Sequence, residues 1–564
     1  MFSQDINNYF RQYIKDPIRS AFFVSIEQHF RKAQDRISFD LDNTICEITK
    51  IEKMVAAFEQ EHPLTGNPIV LMNVSAGIKH VAINKGVELI LGWALRIAGR
   101  RTIYYCCNSS LPQCHLGTKW FAPYIAPPCK ACMQITHNIL PNDKLYSWNT
   151  WSTGYDTDLI ELKKKIETQS CEELEGIRLE GLELGKIVKP SLIWALRVAG
   201  NNVQKEYYAS KLMAKYIIGG AQLARNYKKL IEIKKPSCLI AFNSTTYPEA
   251  IVTKISRNFN IRTITYETSH KEGAFFFSYN DATRYDIKIP DTFKMSNFQN
   301  EQLDEVLSKR FKGNFSMGGV NFWPEIKKID KSFNEITQKF KFVVLIFTNV
   351  VFDTSQNYAD FPFDNMFDWL DVTLKIADKY KDVLFIVRAH PAEELKGKYS
   401  RESVSSWMRY NGWLKKKNIR FFSPKQFVNS YELILKSKFI LAYNSTIALE
   451  SAILGVPAIV GGRARYSNSG AVVSISSRED FINTLNRYLC ENEFSEKDEQ
   501  KELARRYYYY SYFNTNLDLS KFLGKNSVRA GFKIDKIDEL QAQNSKEIDI
   551  LLNAIVNGQK LQYD

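Results

Sequence analysis

Along most of this chain, short apolar runs alternate with longer stretches in which apolar residues recur at helical spacing, and polar residues mark the junctions. The first complete unit predicts a strand at residues 69–74, a Ser-Ala-Gly loop, a helix at about 80–98 and a strand at 102–105, one βαβ unit. Strand chemistry returns at 238–242. A polar loop, 243–247, follows it, then a helix opening on Pro248 and a strand at 262–266 that ends at Glu267. A second series predicts strands at 342–347, 383–387, 419–422, 439–443 and 458–460, with helices at 366–379, 403–416, 428–435 and 446–454 between them. Such alternation implies mostly parallel sheets covered on both faces, an α/β protein of two doubly wound domains.

The rest of the chain departs from this rhythm. Residues 1–65 read as a helical N-terminal extension, with helical spacing at 18–30 and 51–58. Residues 106–140 read as a loop-like insertion rich in Cys, Pro and His on a first domain spanning 66–325. A helical stretch from 158 to 232 follows, with a break expected at Lys189 and Pro190. Polar residues 278–338, with Gly313, Gly318 and Gly319, suggest a linker into a second domain at 326–500, and 501–564 reads as a helical tail.

Length and charge narrow the picture. A chain of 564 residues exceeds one core, and 45% hydrophobic with 24% charged residues is an ordinary globular composition. An excess of 76 Lys and Arg over 62 Asp and Glu, net +14, favours anionic partners: nucleotide phosphates, acidic glycans or an anionic membrane surface. No nucleic-acid-binding motif accompanies the charge, so no nucleic-acid partner is expected. With neither a signal-like start nor a membrane-length apolar run, the expectation is a cytoplasmic protein, peripheral at the inner face of the membrane. Residues 501–533, with seven basic and two acidic residues, are either such a contact face or a helix packed across the domains.

Ligands of open α/β sheets bind outside the carboxyl ends of the strands, so Arg388, His390, Asn444, Ser445 and Thr446 are expected to share one crevice. Asn444, Ser445 and Thr446 stand where a helix N-terminus offers N–H donors to a phosphate; an ordinary N-cap is the alternative. Pro391 restricts the His390 backbone to extended geometry. Arg388 offers a planar fork to phosphate or carboxylate, with a salt bridge to Glu393 or Glu394 as its competing role. Five cysteines fall within residues 106–132, and Cys107, Cys114, Cys129 and Cys132 form an irregular C-x6-C-x14-C-x2-C set. The candidate is a structural zinc, with His115 and His137 as alternative ligands; buried reduced thiols are the other reading.

RAHPAEE at 388–394, NSTIALESAILGVPAIVGG at 444–462, FNSTTYPEA at 242–250 with TYETS at 265–269, and FTNVVFD at 347–353 together resemble bacterial capsule and surface-polysaccharide glycosyltransferases. Similar combinations occur in Kdo and sialic acid transferases and in CDP-glycerol polymerases. The resemblance implies the GT-B architecture, two facing Rossmann-like domains. It also implies a nucleotide-sugar donor, CMP-linked or other, a glycan or lipid-linked acceptor, and no cofactor for catalysis. His390 would contact the donor nucleotide, and Glu450 the ribose. Glu267 is the first choice for the acceptor's general base and Asp353 the second, while Asn243 and Ser244 would position the acceptor. Arg463 would meet an acidic sugar or donor phosphate, or else lie in a solvated loop. Alternatives are a CDP-polyol phosphotransferase of teichoic-acid type, a sugar-nucleotide epimerase and a nonenzymatic glycan-assembly protein.

Overall fold

The computed structural model of the chain describes residues 39–75, 77–148, 157–284, 287–312, 316–317, 320–321, 331–394, 399–426, 428–524 and 529–563. The helical spacing expected at 18–30 and the glycines at 313, 318 and 319 lie outside these residues.

Two compact units account for the chain. The first unites residues up to Leu196, Asn202–Thr283 and Asn516–Asp564; the second takes Arg197–Asn201 and Arg284–Thr515. The sequence-based division at 325/326 therefore differs from the observed change at 283/284. It also separates a tail whose last residues return to the first unit.

The sheet of the first unit contains β1 (Thr65–Met72), β2 (Arg100–Cys107), β3 (Leu145–Trp148), β4 (Cys238–Phe242), β5 (Arg262–Thr268) and β6 (Ala274–Ser278). Its order is β3-β2-β1-β4-β5-β6, closed by the late strand Asn516–Asp518. The first five of these are parallel; β6 runs antiparallel to β5, and Asn516–Asp518 antiparallel to β6. Ile69 sits opposite Thr102 on one side and Cys238 on the other, so chain direction reverses its crossover between β1 and β4. This is a Rossmann order, with its switch point at the β1/β4 boundary.

Helix Ile83–Ile97 carries apolar residues all round and is buried along almost its whole length. Its two charges turned into the core are paired, Lys85 with Glu88 at 2.8 Å. Arg96, near the helix end, is held by Glu52 and Glu59 of helix Phe39–Glu61. A buried cation needs such partners, because its desolvation is otherwise uncompensated.

Six parallel strands build the second sheet: β7 (Phe342–Phe347), β8 (Val383–Arg388), β9 (Ile419–Phe422), β10 (Phe439–Ala442), β11 (Ala458–Val460) and β12 (Val473–Ser474). The order is β9-β8-β7-β10-β11-β12, with Val344 opposite both Phe385 and Phe439. Near-continuous apolar runs such as Val383–Arg388, buried at every position, are what a sheet covered on both faces requires. The α/β class with two Rossmann-like, mostly parallel sheets is thus the fold of this protein.

Several local expectations change. Residues 106–140 are not all loop: helix Cys129–Ile139 lies within them, burying Ile135 and Ile139. The expected break at Lys189 and Pro190 is absent, since helix Leu184–Leu196 runs through Pro190. The polar stretch read as a linker contains helix Asn297–Phe311, whose Leu303 and Leu307 enter the core of the second unit. In the tail, Tyr507, Tyr508 and Tyr509 are buried in that same core, so the aromatic run of 501–533 packs inward rather than outward.

One close approach tests this packing. Gly92 faces Tyr104, and a Cβ at that position would collide with the Tyr104 hydroxyl. A glycine in a helix interior costs roughly 1 kcal/mol against alanine, but overpacking a rigid core costs about 1–3 kcal/mol. Gly92→Ala is therefore expected to lower stability, read as a reduced urea midpoint, whereas a gain would show that Tyr104 moves aside.

Candidate functional site

The carboxyl end of the second sheet gathers the strongest chemistry. The switch point lies between β7 and β10, where the loops leaving the two strands diverge. Across it, Asn349 Nδ2 donates to Asn444 Oδ1 at 2.6 Å, and Gln356 Nε2 donates to the same oxygen at 3.1 Å. Around this tie, Tyr443 donates its hydroxyl to Asp360 at 2.6 Å, and the Arg463 N–H donates to the Ala359 carbonyl at 3.0 Å. Burial pushes the Asp360 carboxyl up to about 6. The loop 349–363 therefore forms a wall beside residues 443–446 and 461–463. Gln356 and Asp360 escape sequence reasoning, because their role rests on that wall and not on any local pattern.

Arg388, the last residue of β8, is 2% exposed. Its Nη1 donates to the Ser423 carbonyl at 2.9 Å, while Nε and Nη2 have no hydrogen-bond partner among the described residues. Burial draws the guanidinium down to about 10, still a cation at neutral pH. No ion pair joins it to Glu393 or Glu394 among the described residues. Glu394 pairs with Lys425 at 3.1 Å, and Glu393 accepts the Val404 N–H at 2.6 Å, with its carboxyl raised to about 8 by burial. Leaving two donors of a buried cation unpaired is costly, and such a group calls for an explanation.

His390, two residues on, is half-buried, and its Nδ1 accepts the Ala392 N–H at 3.1 Å. That bond leaves the proton of the neutral ring on Nε2. Pro391 opens the short turn Pro391–Glu394 that supplies this N–H. Ser445 Oγ lies 3.5 Å from the Ile447 N–H at the start of helix Ile447–Ile453, and Thr446 occupies the N-cap position without a side-chain cap bond.

Glu450 is 1% exposed inside the core. Arg310 Nε donates to its Oε1 at 2.7 Å, and the Tyr431 hydroxyl to its Oε2 at 2.6 Å. The carboxylate expected to receive a ribose is occupied by these donors. Asp353 is exposed and accepts the Ser355 N–H at 3.0 Å, the work of a turn residue. Arg463 is exposed too, its guanidinium 4.2 Å from the centre of the Phe361 ring.

The first unit has its own crevice at the β1/β4 switch. Asn243 and Ser244, directly after β4, both take left-handed backbone conformations, φ +65° and +64°. Two successive non-glycine residues there are strained, and strain of this kind collects at functional sites. Asn243 Nδ2 donates to Glu267, whose other oxygen accepts the Thr268 N–H at 2.8 Å. Ser244 donates to Asp281 at 3.0 Å, an acid also bound by Arg257. Glu267, Asn243 and Ser244 are thus brought to one strand edge.

Glu249, which sequence reasoning passed over, is 2% exposed and spans the switch itself. It accepts the Val74 N–H at 3.0 Å and the Thr246 hydroxyl at 2.9 Å, and burial pushes its carboxyl up to about 7. The signal available was a Glu in the first turn of the helix Tyr247–Asn258.

Cys107, Cys114, Cys129 and Cys132 line a single small, mostly apolar pocket. Among the described residues, however, no three His, Cys, Asp or Glu converge as a metal site would need. Burial pushes the Cys107 thiol up to about 12 and raises the Cys114 thiol well above its ordinary value, opposite to the thiolate a metal favours. The alternative ligand His115 is buried beside Trp194 and Tyr247, and His137 lies exposed on helix Cys129–Ile139. No disulfide joins any of the nine cysteines among the described residues. Among the described residues, no helix is long and apolar enough to cross a membrane.

No protein family and no curated protein matches the sequence. Solved structures with a related fold include KpsC of Thermosulfurimonas dismutans, a beta Kdo 2,4 transferase, at 13% identity and a TM-score of 0.34. That match covers 54% of this chain and 87% of that one. The MnaA–UDP complex of S. aureus matches at 10% identity and a TM-score of 0.27, over 87% and 97% of the two chains. A UDP-GlcNAc 2-epimerase from Neisseria meningitidis, bound to UDP-GlcNAc, matches at 10% and 0.23, over 78% and 93%. These likenesses concern the fold alone.

Two outcomes follow from the buried acids. Removing Glu450 strands Arg310 in the core, so Glu450→Ala is expected to cost about 3–5 kcal/mol in urea unfolding. A loss below roughly 1 kcal/mol would mean that the pair is not closed in solution. For Glu249 the folded pKa, about 7, lies above the ordinary 4.5, so the folded state holds the extra proton. Its contribution is complete at pH 4.5 and disappears as pH rises to 7, about 3 kcal/mol in all. Glu249→Gln should reduce that decline, leaving the same-signed slopes from Asp360 up to pH 6 and from Glu393 up to pH 8.

Proposed function

We propose that this chain is a glycosyltransferase that uses a nucleotide-sugar donor. The observation that carries the reading is Arg388: a buried guanidinium at the carboxyl end of a strand, whose Nε and Nη2 have no hydrogen-bond partner among the described residues. A donor phosphate supplies the charge and the acceptor oxygens that would complete it. The strand-end position beside the switch point supports the assignment, and so does His390, whose ring keeps its proton on Nε2. Asn444, Ser445 and Thr446 form the other side of this donor crevice, with Pro391 fixing the His390 loop. Glu450 contributes from beneath, by holding helix Ile447–Ile453 to Arg310.

The first unit takes the acceptor in this reading. The acceptor oxygen attacks the anomeric carbon, the bond from that carbon to the phosphate oxygen breaks, and the hydroxyl proton passes to a carboxylate. Glu267 has the position for it, at a strand's carboxyl end with Asn243 orienting one oxygen. Ser244 and Arg257 fix the neighbouring Asp281. Asp353 serves a turn and has no such surroundings. The acceptor is a glycan or a lipid-linked glycan of a bacterial surface, and the protein works at the cytoplasmic side of a membrane. Net positive charge, +14, suits both the anionic donor and that surface.

Thermal stabilisation by CMP, CDP, UDP and GDP, each set against its free nucleoside, tests the phosphate role. At a hundred times the dissociation constant a binding nucleotide adds about 2.7 kcal/mol of stability. One nucleotide should shift the melting temperature of the native chain, its nucleoside should not, and Arg388→Met and His390→Ala should each lose the shift. Equal shifts from nucleotide and nucleoside, or a full shift in folded Arg388→Met, would remove the basis of the reading. Product analysis with the donor so named separates sugar transfer from polyol-phosphate transfer and from epimerisation.

A further inference from the structure

The edge of the second sheet opposite the proposed donor crevice is strongly basic. In a parallel sheet every strand is entered at one edge and left at the other, so the segments leading into β9, β8, β7 and β10 lie side by side. Segments 338–341, 378–382, 411–418 and 435–438 hold nine lysines against two acids, Asp378 and Asp382. Lys415 and Lys417 precede β9, Lys379 and Lys381 β8, Lys341 β7 and Lys436 β10, all six exposed. Asp378 is taken by Lys381 and by Lys416, the latter at 2.7 Å. Among the described residues no acid pairs with the other five exposed lysines, and strand spacing of about 4.8 Å sets them along a strip roughly 15 Å long.

Cations near the end of a helix are ordinary, because they offset the dipole there. Lys375 and Arg409 already do so in the last turns of helices Met366–Ala377 and Val404–Tyr410. That role leaves the apolar part of the same edge unexplained. Tyr410 is 91% exposed, Leu435 61% and Leu414 38%, the two leucines each directly before a lysine. Single exposed apolar residues are common, but three set among unpaired lysines on one edge make the mixed surface of an interfacial contact. We propose that this edge docks on an anionic lipid bilayer. The ammonium groups reach headgroup phosphates on flexible stems, and Tyr410, Leu414 and Leu435 enter the interfacial layer. A nucleic acid or an acidic glycan would use the charge and leave those apolar side chains in water. Six-residue β8 is about 20 Å long at 3.3 Å per residue, so a bilayer at its amino end leaves Arg388 and His390 on the aqueous side, where a soluble donor arrives. The inference rests on the membrane-side reading given above, to which it assigns a surface.

Sedimentation of the full chain with vesicles of phosphatidylglycerol and phosphatidylcholine in equal parts, set against phosphatidylcholine alone, tests the face. The native chain should partition into the mixed vesicles only, and added salt should release it. Lys415→Gln/Lys417→Gln/Lys436→Gln should lower the partition coefficient about a hundredfold, about fivefold for each lysine removed. Tyr410→Ser/Leu435→Ser, which leaves the charge unchanged, should lower it about tenfold. All five positions are exposed, so both variants should fold, and an unchanged melting temperature checks that they do. No partition of the native chain, or native partition in the lysine variant, would overturn the inference. Native partition in the Tyr410/Leu435 variant would overturn it as well, since any soluble polyanion would then fit the face equally. A nucleotide melting shift that fails while vesicle binding follows these expectations would count against the transferase reading alone.

Discussion

The structure depends on how each parallel sheet closes its switch point. Where strand order reverses, the loops leaving adjacent strands part in opposite directions, and their polar groups lose the ladder that satisfied them within the sheet. Both units answer with side chains that reach across. In the first, Glu249 takes the Val74 N–H; in the second, Asn349 and Gln356 converge on Asn444. These ties hold the crevices open while keeping their walls hydrogen-bonded, and a crevice with rigid polar walls can hold a ligand without reorganising first.

The same economy explains why the buried charges differ in meaning. Lys85 with Glu88, Arg96 with Glu52 and Glu59, and Arg310 with Glu450 are cations matched to acids inside one unit. Such pairs fix packing. Arg388 is as deeply buried and, among the described residues, has no acid, only a carbonyl on one nitrogen. Since the desolvation cost applies to all four, the unmatched one is where an external anion would be most strongly favoured. Strain tells a similar story in the first unit, where Asn243 and Ser244 keep left-handed backbones beside Glu267.

Much of the fold was legible because its signal is local. Buried strands of a parallel sheet are continuous apolar runs, and the expected strands at 238–242, 342–347 and 419–422 coincide with the observed ones. Arg388, His390 and Asn444 became candidates for the same reason, as polar residues at the ends of such runs. Pro190 misled because its helix is supported on most sides by the core, with Leu192 and Leu196 buried. The basic, tyrosine-rich stretch at 501–533 left a contact face and a packed helix open, and Tyr507–Tyr509 pack into the core of the second unit on residues far earlier in the chain.

By itself, then, the sequence determined the class of fold, the alternation of its elements and the strand ends that carry the candidate residues, since each follows from hydrophobic period and turn chemistry over a few residues. Tertiary structure alone decided which of those polar residues are spoken for. Glu450 meets Arg310 from 140 positions away, and Val74 meets Glu249 from 175. It also decided that strand Asn516–Asp518 returns to the first sheet, and that four irregularly spaced cysteines share one apolar cavity instead of a metal centre among the described residues. Partnerships over such distances leave no period in the chain, because they are set by how whole elements stack once the sheets have formed.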